Sequence, residues 1–137
     1  MENIQLEILD KLKSKELKNY RSKLDINNAL VVGSIITDNF NEESDVDIAI
    51  LGTSKLTIKE ILKLELFLED LLERNIDVID LNSDNLDIFI KIDILNDGKS
   101  IYTTDNNKFL EKFIEKVDWY YRENEYYFKC RRRELLS

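Results

Sequence analysis

The chain has no histidine, no proline, one cysteine and only three glycines among its 137 residues. Each shortage excludes something. Without histidine, Cys130 lacks the usual partner that would activate it as a nucleophile. A lone cysteine also rules out an internal disulfide, which agrees with a reducing cytoplasm. With no proline, and glycine only at 33, 52 and 98, there is no low-complexity linker or domain boundary. No apolar run reaches the ~18 residues needed to span a bilayer, so no membrane association is expected. Met1-Glu2-Asn3 has neither a basic region nor a small-residue cleavage site, so a cytoplasmic protein without a secretion signal is expected. Positive charge is scarce too: 20 Lys and Arg stand against 28 Asp and Glu, a net charge of -8. That argues against stable nucleic-acid binding, which needs many phosphate-neutralising side chains, and is compatible with a basic protein partner. The imbalance is uneven, because residues 108–137 carry +2 and the rest -10.

What is present is enough for one domain. Hydrophobic residues make up 43% and charged residues 35%, a soluble globular balance with a real core. Ile4, Ile8, Leu12, Leu17, Tyr20 and Leu24 recur at helical intervals over 3–24. Ala29-Leu30-Val31-Val32 reads as a buried strand that stops at Gly33-Ser34. Residues 37–44 read as a polar loop. Val46, Ile48 and Ile50 then alternate with Asp45, Asp47 and Ala49, the period of a second strand. Thr57-x-x-Glu60 is a capping box opening a leucine-rich helix that ends near Arg74-Asn75. Ile76–Leu81 is a third strand. Ser83 or Asp84 is expected to cap a shorter helix, 100–103 to form a fourth strand, and Asp105 to cap one final helix to about 136. The order predicts an α/β (α+β) single domain over 1–137: a core at about 15–104 with helices flanking a small mixed sheet, then the C-terminal helix at about 105–136.

The chemistry concentrates at two strand ends. Ten residues separate Gly33-Ser34 from Asp45-Val46-Asp47. Residues i and i+2 of a strand face one side, roughly 6.5–7 Å apart, so Asp45 and Asp47 project together, with Asp77 beside them if its register matches. Residues 34–52 and 76–90 are rich in Asp and Glu and hold no Lys or Arg. Crowded carboxylates repel unless a cation neutralises them, and here the natural cation is a metal. Hard oxygen donors favour Mg²⁺ or Mn²⁺, with positions left for water and phosphate oxygens. A Gly-Ser turn brings backbone N–H groups and a hydroxyl to those phosphates. Such a site works by positioning and charge neutralisation and needs no histidine. Taken singly, a Gly-Ser turn or an Asp-x-Asp pair is commonplace; the spacing and the strand ends together carry the reading.

Within Val-Val-Gly-Ser and Ser-Asp-Val-Asp-Ile-Ala-Ile-Leu, this arrangement resembles the minimal nucleotidyltransferases of the DNA polymerase β-like superfamily. Ile76-Asp77-Val78-Ile79-Asp80-Leu81 resembles the strand bearing that family's third carboxylate, and Gly-Lys-x-Ile-Tyr at 98–102 also matches. The small size is most similar to the antitoxins of HEPN/MNT toxin–antitoxin pairs. The resemblance implies a nucleotidyltransferase fold and transfer of AMP from ATP to a tyrosine of a HEPN ribonuclease toxin. It implies that Gly33, Ser34 and Ser44 hold the triphosphate and that Asp45 and Asp47 bind Mg²⁺. Asp77 would join one metal and orient or deprotonate the attacking hydroxyl. Asp80 rivals Asp77, but its odd offset puts it on the other side of the strand, where a solvated or capping role is the plainer reading. Where family members often have Ala-Arg-Gly, this chain has Ile36-Thr37-Asp38, which leaves open an inactive antitoxin acting by contact. A nucleotidyltransferase acting on a small hydroxylated molecule is a further alternative, although such enzymes usually carry an additional helical substrate domain, which is not expected within these 137 residues.

Near the C-terminus, Trp119, Tyr120, Tyr121, Tyr126, Tyr127 and Phe128 precede Lys129 and Arg131-Arg132-Arg133. Such a segment could stack on bases or bind a partner. The plainer expectation is a terminal helix packing one aromatic face on the core.

Overall fold

In the computed structural model, residues 10–11, 24–33 and 45–136 are described. Asp10 and Lys11 are helical; the rest of the N-terminal helix expectation, up to residue 23, lies outside the described residues, as does the loop at 37–44. Four strands form one mixed sheet: β1 (Asn28–Val32), β2 (Val46–Leu51), β3 (Ile76–Asp80) and β4 (Lys99–Thr103), in the order β3-β2-β1-β4. β1 runs antiparallel to β2 and β4, and β2 runs parallel to β3. The helices that lie wholly within the described residues are α1 (Ile58–Leu72), α2 (Ile88–Asp97), α3 (Lys108–Glu123) and α4 (Glu125–Leu136). None of them is long and apolar enough to cross a membrane.

The continuous apolar run of β1 follows from burial on both faces. Alternate residues feed two cores. Ala29, Val31, Ile48 and Ile50 pack against Leu64, Leu68 and Leu72 of α1. Leu30, Val32, Ala49 and Leu51 pack on the other side with Ile94 of α2 and Leu110 of α3. This two-sided layering fixes which face the strand carboxylates must take.

Helix ends follow local hydrogen bonding. At α1 the capping box forms: Glu60 N–H donates to Thr57 Oγ1 at 3.1 Å, and Thr57 N–H to Glu60 Oε1 at 3.0 Å. Neither Ser83 nor Asp84 caps α2. The segment before it is spent on turns, with Ser83 N–H donating to Asp80 O, and Asp87 is the cap, accepting from Phe89 N–H at 2.8 Å. At α3 the cap position is Asn107, in the left-handed region with no side-chain bond, so Asp105 is not the cap. Asp105 still accepts from Phe109 N–H at 3.0 Å, satisfying one first-turn donor.

The single C-terminal helix expected over 105–136 is broken at Asn124 into α3 and α4. The Asn124 side chain donates to Tyr120 O at 2.9 Å, and its N–H is shared between Tyr120 O and Tyr121 O at 3.2 Å each. An asparagine amide competing for backbone carbonyls ends the regular ladder there. Beyond the break, Phe128 is buried and stacks on Tyr121 at 5.5 Å with rings 3° from parallel. Arg131 fastens α4 to the α2 cap residue Asp87 at 2.9 Å. The aromatic segment therefore packs inward at Phe128 and Tyr121, but Trp119 and Tyr126 face solvent.

Gly52, at the end of β2, has no room for a side chain: a Cβ there would lie 1.8 Å from the Asp25 carbonyl oxygen. The Asp25 carboxylate in turn accepts from the Thr53 hydroxyl and from Ser54 N–H, tying the start of β1 to the loop after β2. Gly52→Ala must displace backbone on both segments. A loss of about 2–3 kcal/mol is expected, read as a lowered urea midpoint at unchanged slope.

Candidate active site

Two strands bring the acidic residues together at one end of the sheet, beside the end of a third. Val32, the last residue of β1, pairs with Asp47 of β2, and Asp47 pairs with Asp77 of β3. Val46 and Ile48 point into the core under α1. The strand period therefore turns Asp45 and Asp47 to the opposite face, the one carrying Ala49, Leu51 and α2. Asp77 shares that face through Ile79, two residues on, which packs in the same core. The register on which the sequence reading of Asp77 depended is thus the one adopted.

Crowding leaves its mark on Asp47. Partial burial is the largest cause pushing its pKa above the usual carboxylate value, and the negative charges of Asp77 and Asp45 push the same way. A hydrogen bond with Asp77 adds to the shift, because one proton shared between two carboxylates is retained more firmly. Gly33 completes the arrangement. Its φ of 80° lies in the left-handed region, and an added Cβ would sit 3.0 Å from Asp47 Oδ2. Both conformation and space require glycine, and the chain thereby passes directly against the carboxylate. Ser34 and Ser44, expected beside it, lie outside the described residues, as do Ile36, Thr37 and Asp38.

Asp80 has a different job. It is buried; Oδ2 accepts from Leu56 N–H at 2.7 Å and Oδ1 from Asn82 N–H at 2.9 Å. Both oxygens are committed to backbone donors at the far end of β3, so Asp80 caps the loops that leave β2 and β3. One contact had no sequence signal: Glu65 of α1 accepts from Val78 N–H at 3.4 Å, on the open edge of β3 next to Asp77. Only the crossover from α1 to β3 places the two together.

The donor set fits a hard divalent cation. It consists of carboxylate oxygens, and a cation would offset both the burial and the neighbouring negative charges that raise the Asp47 pKa. Among the described residues no three His, Cys, Asp or Glu side chains converge closely enough to hold a metal ion by themselves. An open set suits Mg²⁺, which keeps several waters and takes phosphate oxygens alongside one or two carboxylates. Chemically, the end of the sheet offers a turn of close backbone approach at Gly33 and the three carboxylates of Asp45, Asp47 and Asp77.

Comparison with known proteins agrees with this geometry. A family model described as "Polymerase beta, Nucleotidyltransferase" matches residues 15–107. No curated protein matches. Among solved structures, a toxin–antitoxin with AMP-PNP is similar at 20% identity, with a TM-score of 0.74 over 91% of this chain and 98% of that one. The toxin–antitoxin MntA–HepT is 19% identical, with a TM-score of 0.68 over 91% and 97%. A tri-AMPylated Shewanella oneidensis HEPN toxin in complex with MNT antitoxin gives 19% identity and a TM-score of 0.70 over 94% and 99%. At these identities the likeness is one of fold.

Proposed function

This chain belongs to the polymerase beta nucleotidyltransferase family, and on that premise we propose that it transfers AMP from ATP to a tyrosine hydroxyl of a HEPN-type ribonuclease toxin, silencing it. The observation carrying the proposal is the Val32–Asp47–Asp77 row with Gly33 against Asp47. Toxin–antitoxin structures of the same fold, one with AMP-PNP and one with an AMPylated toxin, support the choice of nucleotide and partner.

Asp45, Asp47 and Asp77 would hold Mg²⁺, or Mn²⁺ in its place. The bound ion supplies positive charge against the phosphates and the developing pyrophosphate. Gly33 lets the backbone approach the triphosphate, and Ser34 and Ser44 are the hydroxyls assigned to it. Asp77, exposed near the start of β3, orients the acceptor hydroxyl and takes its proton. A bond forms from the tyrosine oxygen to the α-phosphorus as the bond from that phosphorus to the bridging oxygen breaks, releasing pyrophosphate.

The test uses α-labelled ATP, Mg²⁺ and the protein encoded beside this chain. Label is expected on that protein, and Asp45→Ala/Asp47→Ala is expected to reduce it by at least about 10³-fold. Equal labelling by the double variant would overturn the site. A tight complex without label would replace transfer by neutralisation through contact, and label appearing on a small hydroxylated compound instead would change the substrate class.

A further inference from the structure

Between α2 and α3 lies a groove of about 430 Å³. Its floor is apolar, with Phe89 and Ile92 from α2 and Ile114 and Val117 from α3. Its lips are acidic. Asp93 stands on the α2 lip and Asp118 on the α3 lip. Helical spacing extends both rows, with Asp97 one turn beyond Asp93 and with Glu111 and Glu115 on the turns before Asp118. All five carboxylates are exposed, and Arg122 is the basic side chain paired into the rim, to Asp118 at 3.0 Å. The groove lies on the Asp47 side of the sheet. α2 ends at Gly98, where an added Cβ would be 3.0 Å from Val32 Cγ1, and Val32 is the strand partner of Asp47.

We propose that this groove seats an amphipathic helix of the protein substrate whose apolar ridge is flanked by lysines or arginines. The inference rests on the reading that the acceptor is a protein. Two packed helices leave a furrow that takes a third helix through an apolar ridge at i, i+3, i+4 spacing. The two rows of carboxylates select basic flanks and steer their approach. A second copy of this chain, at a net charge of -8, is repelled by those lips, and so is a nucleic acid.

Asp93→Lys/Asp118→Lys tests the proposal, with Asp93→Asn/Asp118→Asn as the milder variant. Both sites are exposed, and circular dichroism checks that the fold is kept. Binding of the protein encoded beside this chain is measured by surface plasmon resonance at low and high salt, alongside transfer kinetics. The Lys variant is expected to weaken binding by at least about tenfold, with a flattened salt dependence and the Asn variant between. The KM for the protein substrate rises, while kcat and the KM for ATP stay as in the wild type. Unchanged affinity in the Lys variant overturns the groove assignment, as does self-association of the wild type that the Lys variant abolishes. Wild type that binds and responds to the Lys substitutions but never labels its partner supports the groove while sinking AMP transfer. Labelling that is indifferent to the substitutions does the opposite.

Discussion

Asp77→Asn and Asp80→Asn, three residues apart on one strand, are expected to fail in opposite ways. Asp77→Asn removes a carboxylate that is exposed and paired in register with Asp47. Transfer should fall by about 10²–10³-fold with little change in the urea midpoint, because no core contact is lost. Asp80→Asn keeps one acceptor oxygen but turns an NH₂ group toward a backbone donor, either Leu56 N–H or Asn82 N–H. A buried N–H left without its acceptor costs about 2–3 kcal/mol, so the midpoint falls while the protein that remains folded keeps its activity. Measuring both variants for transfer and for denaturation separates the roles. If Asp80→Asn were inactive at full stability, or Asp77→Asn destabilised but fully active, the assignment of the third carboxylate would be wrong.

Asp47→Asn is expected to stabilise the metal-free protein while abolishing transfer. Burial and the charges of Asp77 and Asp45 raise the Asp47 pKa in the fold. A carboxylate whose folded pKa exceeds its unfolded value contributes stability below the unfolded pKa and loses it as pH rises through the folded one. At pH 7 that contribution is gone and the repulsion remains. In EDTA at pH 7 the variant should melt roughly a few degrees above the wild type. The gap should close as pH falls through the carboxylate range, where Asp47 of the wild type takes up its proton. Millimolar Mg²⁺ should raise the wild-type Tm and have little effect on the variant. A variant that melts below the wild type in EDTA, or a wild type indifferent to Mg²⁺, would remove the electrostatic basis of the site. A site that is unstable until its ligand arrives is the usual relation between function and stability in such clusters.

Much of this was legible because it is local. The Val46/Ile48/Ile50 alternation turns Asp45 and Asp47 to one face whatever surrounds the strand, and the Thr57–Glu60 box encodes its own helix start. Gly33 was legible as a turn; that it also makes room for Asp47 was not, because that contact joins β1 to β2. The helix break at Asn124 was hidden because the aromatic periodicity runs straight through it, and the side-chain bonds to the preceding turn decide the matter. The start of α2 moved to Asp87 because Ser83 and its neighbours are consumed by the turn that Asp80 anchors.

Composition and spacing set the chemistry on offer: carboxylates without local basic residues, a glycine-serine pair separated by ten residues from Asp45, and no histidine. Composition and spacing are properties of the chain and survive any packing. Which acids come to lie side by side depends on strand pairing. Pairing of β2 with β3 sets Asp77 beside Asp47 and sends Asp80 inward to hold two loops. Packing of α3 across α2 likewise sorts exposed acids into the two lips of a groove. Register and helix packing are set by contacts between residues far apart in the chain, and a shift of one residue along β3 would exchange the faces of every side chain on it.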